Sequence, residues 1–448
     1  MTNQESAAVQ SSGDGSLHEV VVVGGGAGGL ELVTRLGDRL GRRRRARITL
    51  IEKTRAHFWK PHLHEIAAGS MDLASYETNY LAQSHWHGFI YRIGEMTGLD
   101  RAQRLVHVAP FVDEDGDRVT PARAFRYDTV VIAVGSLTND FGTPGVARHA
   151  IRLDTPGEAA HFHRRLVNAY FRAHAQPGPL RDGQLRVILI GGGATGVELA
   201  AELSRMVELA AGYGKVDIRR RLRLTLLETA PRILGAFPEA VSASAASQLH
   251  RLGVDVRTGV KVVGADARGY LLEGGEHVPA TLKVWAAGIR ASSGFDESGL
   301  EISRAGQIVV ETNLMAKGDQ HIFALGDCAS FVPEGTKQPL PATAQVANQQ
   351  ALHLVRHLPA WLRKSRPVPP YRNRDLGALV ALSEYNAFGR LGRFGFFKGG
   401  FIKGRFAQLS HAVLYRRHQL SLHGPFRAAL LWLAERINAL VRPSIRIS

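Results

Sequence analysis

One cysteine, Cys328, stands in a chain of 448 residues. An intrachain disulfide, a cysteine metal cluster and a redox-active dithiol are therefore excluded, and several enzyme classes with them. No uninterrupted apolar run reaches the roughly 18 residues of a membrane-spanning helix. Residues 1–17 hold Ser, Gly and Gln with Glu5 and Asp14, and no basic stretch leads into an apolar one. They are expected to form a disordered tail rather than a signal peptide. Acid is scarce as well: 40 Asp plus Glu stand against 56 Lys plus Arg, a formal net charge of +16. That excess suits an anionic partner such as a phosphate-rich cofactor, nucleic acid or acidic lipid, and an arginine-rich proteome would leave the same imbalance.

With 45% hydrophobic and 21% charged residues the chain is a folded protein, long enough for two or three domains. Its organising stretch is Val20 to Gly29, VVVVGGGAGG. The valine run has the pattern of a parallel strand covered on both faces. Gly24, Gly26 and Gly29 then fit G-x-G-x-x-G, which turns the chain tightly, brings backbone up to a pyrophosphate and packs the next helix closely. A helix from Leu30 to about Leu40 would aim its free N–H groups at the phosphates. A second strand, Ile48 to Ile51, ends at Glu52, a carboxylate able to accept both hydroxyls of an adenosine ribose.

The motif repeats in RVILIGGGATGVE, where Gly191, Gly193 and Gly196 restate Gly24, Gly26 and Gly29 at a constant offset of 167 residues (24 to 191, 29 to 196) and Glu198 takes the place of Glu31. The second copy also has its acid, Glu228, at the end of the strand Leu222 to Leu227. From last glycine to acid there are 23 residues in the first copy and 32 in the second (29 to 52, 196 to 228), so the second crossover holds a longer helix and loop. Two dinucleotide folds imply two dinucleotides. A carboxylate at Glu228 would repel a 2′-phosphate and favour NADH over NADPH, unless a neighbouring arginine swings in to bind it.

Between and after the copies lie two further buried strands ending in glycine, YDTVVIAVGS with Gly135 and KVWAAGI with Gly288, each returning the chain to its sheet. QPGPLRDG, 176–183, has the proline and glycine of a linker. In HIFALGDCAS a short strand meets Gly326 and Asp327, an acid placed to accept from a ligand hydroxyl or to act as the N-cap of a helix. Cys328 beside it reads as a small packed residue. His57, His62, His64, His85 and His87 come with no carboxylate or thiol set, so they read as exposed polar histidines and no metal site is expected.

With these pieces placed, the chain resembles the flavoproteins that bind two dinucleotides, and within them the type II NADH:quinone oxidoreductases. AQVANQQ, 344–350, is similar to that family's A-Q-x-A-x-Q-Q segment, associated with the quinone site and the flavin ring, and Thr195 to Glu198 matches its second loop. KPHLHEIAAG departs from the family at His64, where relatives have an aromatic residue before the glutamate. The resemblance implies an α/β fold of two Rossmann-like domains: a discontinuous FAD domain over 18–180 and 291–384, an NADH domain inserted over 181–290, and a C-terminal amphipathic helical membrane-binding region over 385–448. It implies FAD at Gly24, Gly26, Gly29, Glu52, Lys53, Lys60, Gly135, Gly326, Asp327, Ala344 and Gln345, and NADH at Gly191, Gly193, Gly196, Glu228 and Gly288. Hydride would pass from NADH to FAD and two electrons on to a membrane quinone, without proton pumping. Glu198 would tune the nicotinamide pocket or handle a proton, and Gln345 and Gln349 would hydrogen-bond quinone and flavin oxygens. The plain counterparts are a carboxylate on a helix's first turn and two glutamines on a solvated helix face.

From Tyr385 to Ala434 there is no acid, while Arg390, Arg393, Lys398, Lys403, Arg405, Arg416, Arg417 and Arg427 are cationic and Phe388, Phe394, Phe396, Phe397, Phe401 and Phe406 are threaded among the first of them. Phe426 to Val441 puts Leu430, Leu433, Ile437, Leu440 and Val441 on one helical stripe. Such a helix can lie in anionic headgroups, which would make the protein peripheral on the cytoplasmic face of the cell membrane, or can form a homodimer interface or a lid. Two other functions fit less well. A sulfide donor goes with a cysteine pair at the flavin, and a redox-sensing protein that engages nucleic acid would need a nucleic-acid motif that the chain lacks.

Overall fold

The computed structural model describes residues 8–10, 17–212, 218–291, 295–364, 366–382, 386–391, 401–403 and 405–441. They gather into two compact units. Unit 1 takes Met1–Phe58, Glu77–Leu137 and Arg290–Arg374; unit 2 takes Trp59–Tyr76, Thr138–Ile289 and Asp375–Ser448.

The first stretch of unit 1 runs through β1 (Glu19–Val23), α1 (Ala27–Leu36) and β2 (Arg47–Glu52). The four valines of β1 are 0–3% exposed, because both faces of the strand are covered. α1 buries Leu30, Leu32, Val33 and Leu36 at helical spacing. A short segment carrying α2 (Leu63–Ala68) belongs to unit 2, after which β3 (Ile90–Ile93) and β4 (Thr129–Ile132) rejoin unit 1.

Unit 2 continues with β5 (Ile151–Arg152) and α3 (Pro156–Ala175), which starts from a capping box of Thr155 and Glu158 with Pro156 in its first turn. Residues 176–183 join α3 to β6 (Arg186–Ile190), followed by α4 (Ala194–Gly212), β7 (Arg223–Glu228), α5 (Glu239–Arg251), β8 (Val254–Thr258) and β9 (Leu282–Trp285). The chain then supplies unit 1 with β10 (Ile322–Ala324) and α6 (Ala344–Lys364). It ends in unit 2 with β11 (Gly377–Leu382), β12 (Asn386–Leu391), β13 (Phe401–Lys403) and α7 (Arg405–Val441).

The core of unit 1 is a five-stranded parallel sheet of order β10-β4-β1-β2-β3, and that of unit 2 a five-stranded parallel sheet of order β5-β9-β6-β7-β8. In both, the strand before the glycine loop is central. The acid-bearing strand flanks it on one side and the strand ending in Ile132 or Trp285 on the other. Ligands of such sheets bind beyond the carboxyl ends of the central strands, where the glycines lie.

Part of the segment expected to be disordered is a strand: Ala8–Gln10 pairs in parallel with Arg123–Phe125, whose edge offers free backbone groups. α7 is two helices. Gly424 leaves the helical conformation at φ 72° and Pro425 opens the second part. That part is fastened by Ala428, which is buried, by Trp432 Nε1 donating to Gln419 at 2.7 Å, and by the Arg416–Glu435 ion pair. The predicted stripe of Leu430, Leu433, Ile437, Leu440 and Val441 is 52–86% exposed. No described helix is long and apolar enough to cross a membrane. Arg393, Phe394, Phe396, Phe397 and Lys398 lie outside the described residues.

Candidate active site

The first glycine loop leaves β1 through Gly24 at φ 102°. A side chain there would meet Ala133 O at 2.4 Å, and a Cβ on Gly29 would stand 1.8 Å from Gly24 O, so only glycine lets α1 start this close to the strand. Gly26 is the N-cap; no side chain bonds its helix, no acid lies in the first turn, and nothing stands within 4 Å of where its Cβ would be. Free N–H groups and the positive end of the dipole therefore face open space suited to an anion. Glu52, at the end of β2, accepts the Gly25 N–H at 2.6 Å through Oε2 and the Thr54 N–H and hydroxyl at 3.0 Å each through Oε1. A carboxylate has acceptor sites beyond these three, so it is both fixed and still open to ligand hydroxyls. The Gly25 carbonyl accepts from the Tyr80 hydroxyl at 2.8 Å and from His57 Nδ1 at 3.0 Å. Burial, with Glu52 adding to it, raises the Tyr80 phenol well above its ordinary range and keeps it a donor.

Unit 2 repeats this construction. Gly191 has φ 110°, a Cβ on Gly196 would stand 2.0 Å from Gly191 O, and Gly193 faces open space. Glu228 Oε2 accepts the Gly192 N–H at 2.5 Å and its Oε1 the Ala230 N–H at 2.7 Å. The Gly192 carbonyl is held by the backbone of Leu234 at 2.7 Å, where the first loop uses Tyr80 and His57. Gly288, at φ 67°, ends the stretch after β9.

Part of the remaining unit 1 set meets at the turn after β10. Ser136 Oγ, next to Gly135, donates to Asp327 Oδ2 at 2.7 Å. The Gly326 N–H donates to Gln350 Oε1 at 2.7 Å, which ties α6 to this turn. Ala344 and Gln345 are half-buried in the first turn of α6, where Thr343 Oγ1 accepts the Val346 N–H. Gln349 is engaged at both ends by the Arg374 backbone, at 2.9 and 3.0 Å. Lys53 is exposed and pairs with Glu95, and Lys60 is an exposed residue of unit 2. Cys328 is buried, and burial pushes its thiol up to about 12, so it is not a nucleophile at neutral pH.

Glu198 lies on the first turns of α4, 7% exposed. Its Oε1 accepts the Ala381 N–H at 3.0 Å, and His64 Nδ1 is 3.8 Å from its Oε2. Burial raises the carboxyl above the ordinary glutamate value, against the opposing pull of His64 and the Ala381 N–H. Of the histidines expected to be exposed, His85 is exposed and His87 half-buried, whereas His57, His62 and His64 are 5–8% exposed: His57 Nδ1 lies against the Gly25 carbonyl, His62 Nδ1 against Glu65, and His64 Nδ1 is 3.8 Å from Glu198. Among the described residues no group of His, Cys, Asp and Glu is arranged to hold a metal ion. Sequence reasoning missed Tyr80, Ser136, Asn348 and Gln350, and it singled out His64 only as a departure from the family pattern. Gln350 and Asn348 belong to the AQVANQQ segment, and that was a usable signal; Tyr80 and Ser136 carried none.

A family model described as pyridine nucleotide-disulphide oxidoreductase matches residues 18–351. A type II NADH:quinone oxidoreductase of Haemophilus influenzae is 38% identical over 448 aligned positions, spanning 96% of this chain and all of that one. One from Staphylococcus aureus is 30% identical over 83% of this chain and 89% of its own length. Among solved structures, NDH2 from Plasmodium falciparum in complex with NADH superposes with a TM-score of 0.80 over 96% of this chain and all of that one; at 17% identity this likeness speaks for the fold.

Proposed function

Because the chain belongs to the pyridine nucleotide-disulphide oxidoreductase family and, within it, to the type II NADH:quinone oxidoreductases, we propose that it oxidises NADH and reduces quinone by way of FAD. The observation that carries this reading is the doubling of the glycine cradle, each copy with its own fixed carboxylate. The residues fit both groups. Each loop offers open space beside a helix N-terminus for a diphosphate, and each acid keeps acceptor capacity for ribose hydroxyls. Bound FAD supplies the two-electron chemistry that links a hydride donor to a quinone.

The assignment of individual residues is part of the proposal. Gly24, Gly26, Gly29 and Glu52 would hold the adenosine diphosphate half of FAD, and Asp327, steadied by Ser136, would accept from a hydroxyl of the same cofactor. Gly191, Gly193, Gly196 and Glu228 would hold NADH, with Glu228 disfavouring a 2′-phosphate. Gln345 would offer a neutral amide to the quinone, and Gln349 would serve chiefly to hold the backbone at Arg374. The single buried cysteine argues against a sulfide donor.

The exposed stripe of α7 supports a membrane surface as partner, on the cytoplasmic face where NADH is available. Purified protein should release FAD on denaturation and consume one NADH per quinone analogue reduced. It should also sediment with anionic vesicles and lose that property when Leu433→Asp and Ile437→Asp are combined. A double variant that still sediments, or that turns a dimer into a monomer with vesicle binding intact, would reassign the stripe to a second copy of the chain.

A further inference from the structure

One group of titratable side chains in unit 2 has no task in holding either dinucleotide. The turn entering α2 and the helix itself bring His62, His64 and Glu65 to the side of Glu198. The His64 imidazole stands between two carboxylates: Nδ1 is 3.8 Å from Glu198 Oε2 and Nε2 is 3.9 Å from Glu65 Oε1. Glu65 Oε1 is also 2.5 Å from His62 Nδ1, which orients it. The row has one more exposed end, the side chain of Glu65 being 26% exposed against 6% for His64 and 9% for Glu198.

We propose that Glu65, His64 and Glu198 form a proton relay, in which His64 takes a proton at Nε2 from the exposed side and releases one at Nδ1 to the buried carboxyl. Imidazole suits this place because its two nitrogens are separate sites, so gain at one can accompany loss at the other. Both gaps exceed a hydrogen bond by less than about 1 Å, so small side-chain rotations close each in turn. The inference rests on the quinone-reductase reading, which creates a need for such a path. NADH and quinone give NAD⁺ and quinol only when one proton is added: the hydride brings two electrons and one proton, and the quinol holds two protons. The relay delivers that added proton from solvent to Glu198 Oε2, and Glu65 regains one for each delivered.

The other groups facing this row do not interrupt it. His163 of α3 abuts Gly69 at the end of α2, and Glu202, one turn along α4, pairs with Arg205. Tyr76 is acted on by Glu435, Glu65 and Arg416, and the Tyr415 ring lies 4.9 Å from that of His62. Burial makes Glu198 hold its proton to higher pH than an ordinary glutamate, the direction a relay terminus needs.

The test uses the FAD-loaded full chain and infrared spectroscopy of the protonated carboxyl, with Glu198→Gln identifying its band. On transfer to deuterated buffer the band should shift about tenfold more slowly in His64→Gln and His64→Phe than in the wild type, and free imidazole should restore the rate in His64→Ala. Quinone turnover by these variants should fall with a larger solvent isotope effect and an unchanged KM for NADH. His64→Gln keeps a buried polar group, so it serves if the phenylalanine variant does not fold. The relay is overturned if no Glu198-dependent carboxyl band persists to higher pH than an ordinary glutamate would allow, or if exchange in His64→Gln matches the wild type. A wild type that turns over with His64-independent exchange leaves the function standing and removes the relay. His64-dependent exchange in a protein inert towards NADH and quinone does the reverse.

Discussion

Glu31 and Glu198 stand two residues past the last glycine of their loops, at corresponding places in the two copies, and their surroundings differ. Glu31, 1% exposed, is met by Arg35 Nε at 2.7 Å and by Asn348 Nδ2 at 2.9 Å. Glu198 is met by a backbone N–H and, at 3.8 Å, by a histidine, and burial outweighs both. The two cradles are alike because strand, loop and acid are encoded within short stretches. What each helix does with its glutamate is decided by partners from elsewhere in the chain, Asn348 for one and His64 with Ala381 for the other. A duplicated local motif can therefore carry two different electrostatic roles.

The comparison breaks most sharply at the glycines. Gly29→Val places side-chain atoms on the Gly24 carbonyl and should yield colourless protein. Gly196→Val should stay yellow and lose NADH affinity by about a hundredfold or more, near 2.7 kcal/mol, as read from flavin bleaching. Loss of flavin in both would mean that the cradles are not independent.

Glu198→Gln should lower kcat by about a hundredfold, whereas Glu31→Gln should leave turnover within a few-fold and cost about 1–3 kcal/mol of stability through Arg35 and Asn348. The pH dependence should separate them further. Because the folded-state value of Glu198 is raised, the native protein holds a proton that the unfolded chain releases near 4.5. That stabilisation is complete below 4.5 and is lost as pH rises through the folded-state value. Denaturant melts of Glu198→Gln should lack this decline. A third effect, about tenfold, is expected at Glu228→Ala, which should raise the ratio of NADPH to NADH in kcat/KM. The smallest belongs to Tyr80→Phe: losing the bond to the Gly25 carbonyl should weaken FAD binding by about fivefold, or 1 kcal/mol.

Much of this was legible in the chain. The valine run, the glycine spacing, its offset repeat and the terminal acids each state a local requirement, and all of them reappear as central strands, loops and fixed carboxylates. The α/β class came from the same repeat. The contacts that finish each cradle were not legible, since Tyr80 and Ser136 reach their partners only once the sheet has brought distant segments together. Nor was the placement of Trp59–Tyr76 with unit 2, because in sequence it sits between two strands of the unit 1 sheet. Three of the five histidines, His57, His62 and His64, were misread for the same reason: burial of a polar ring depends on its surroundings, and the groups beside His64 come from α2 and α4 together.

Two cradles, one for FAD and one for NADH, are proposed to serve one electron path to quinone. Rapid mixing of the purified yellow protein with NADH in the absence of oxygen tests this most directly. One equivalent should bleach the flavin absorbance fully, and a soluble quinone analogue should restore it within the turnover time. A flavin bleached by NADPH and not by NADH, or one that stays bleached in the presence of quinone, would contradict it.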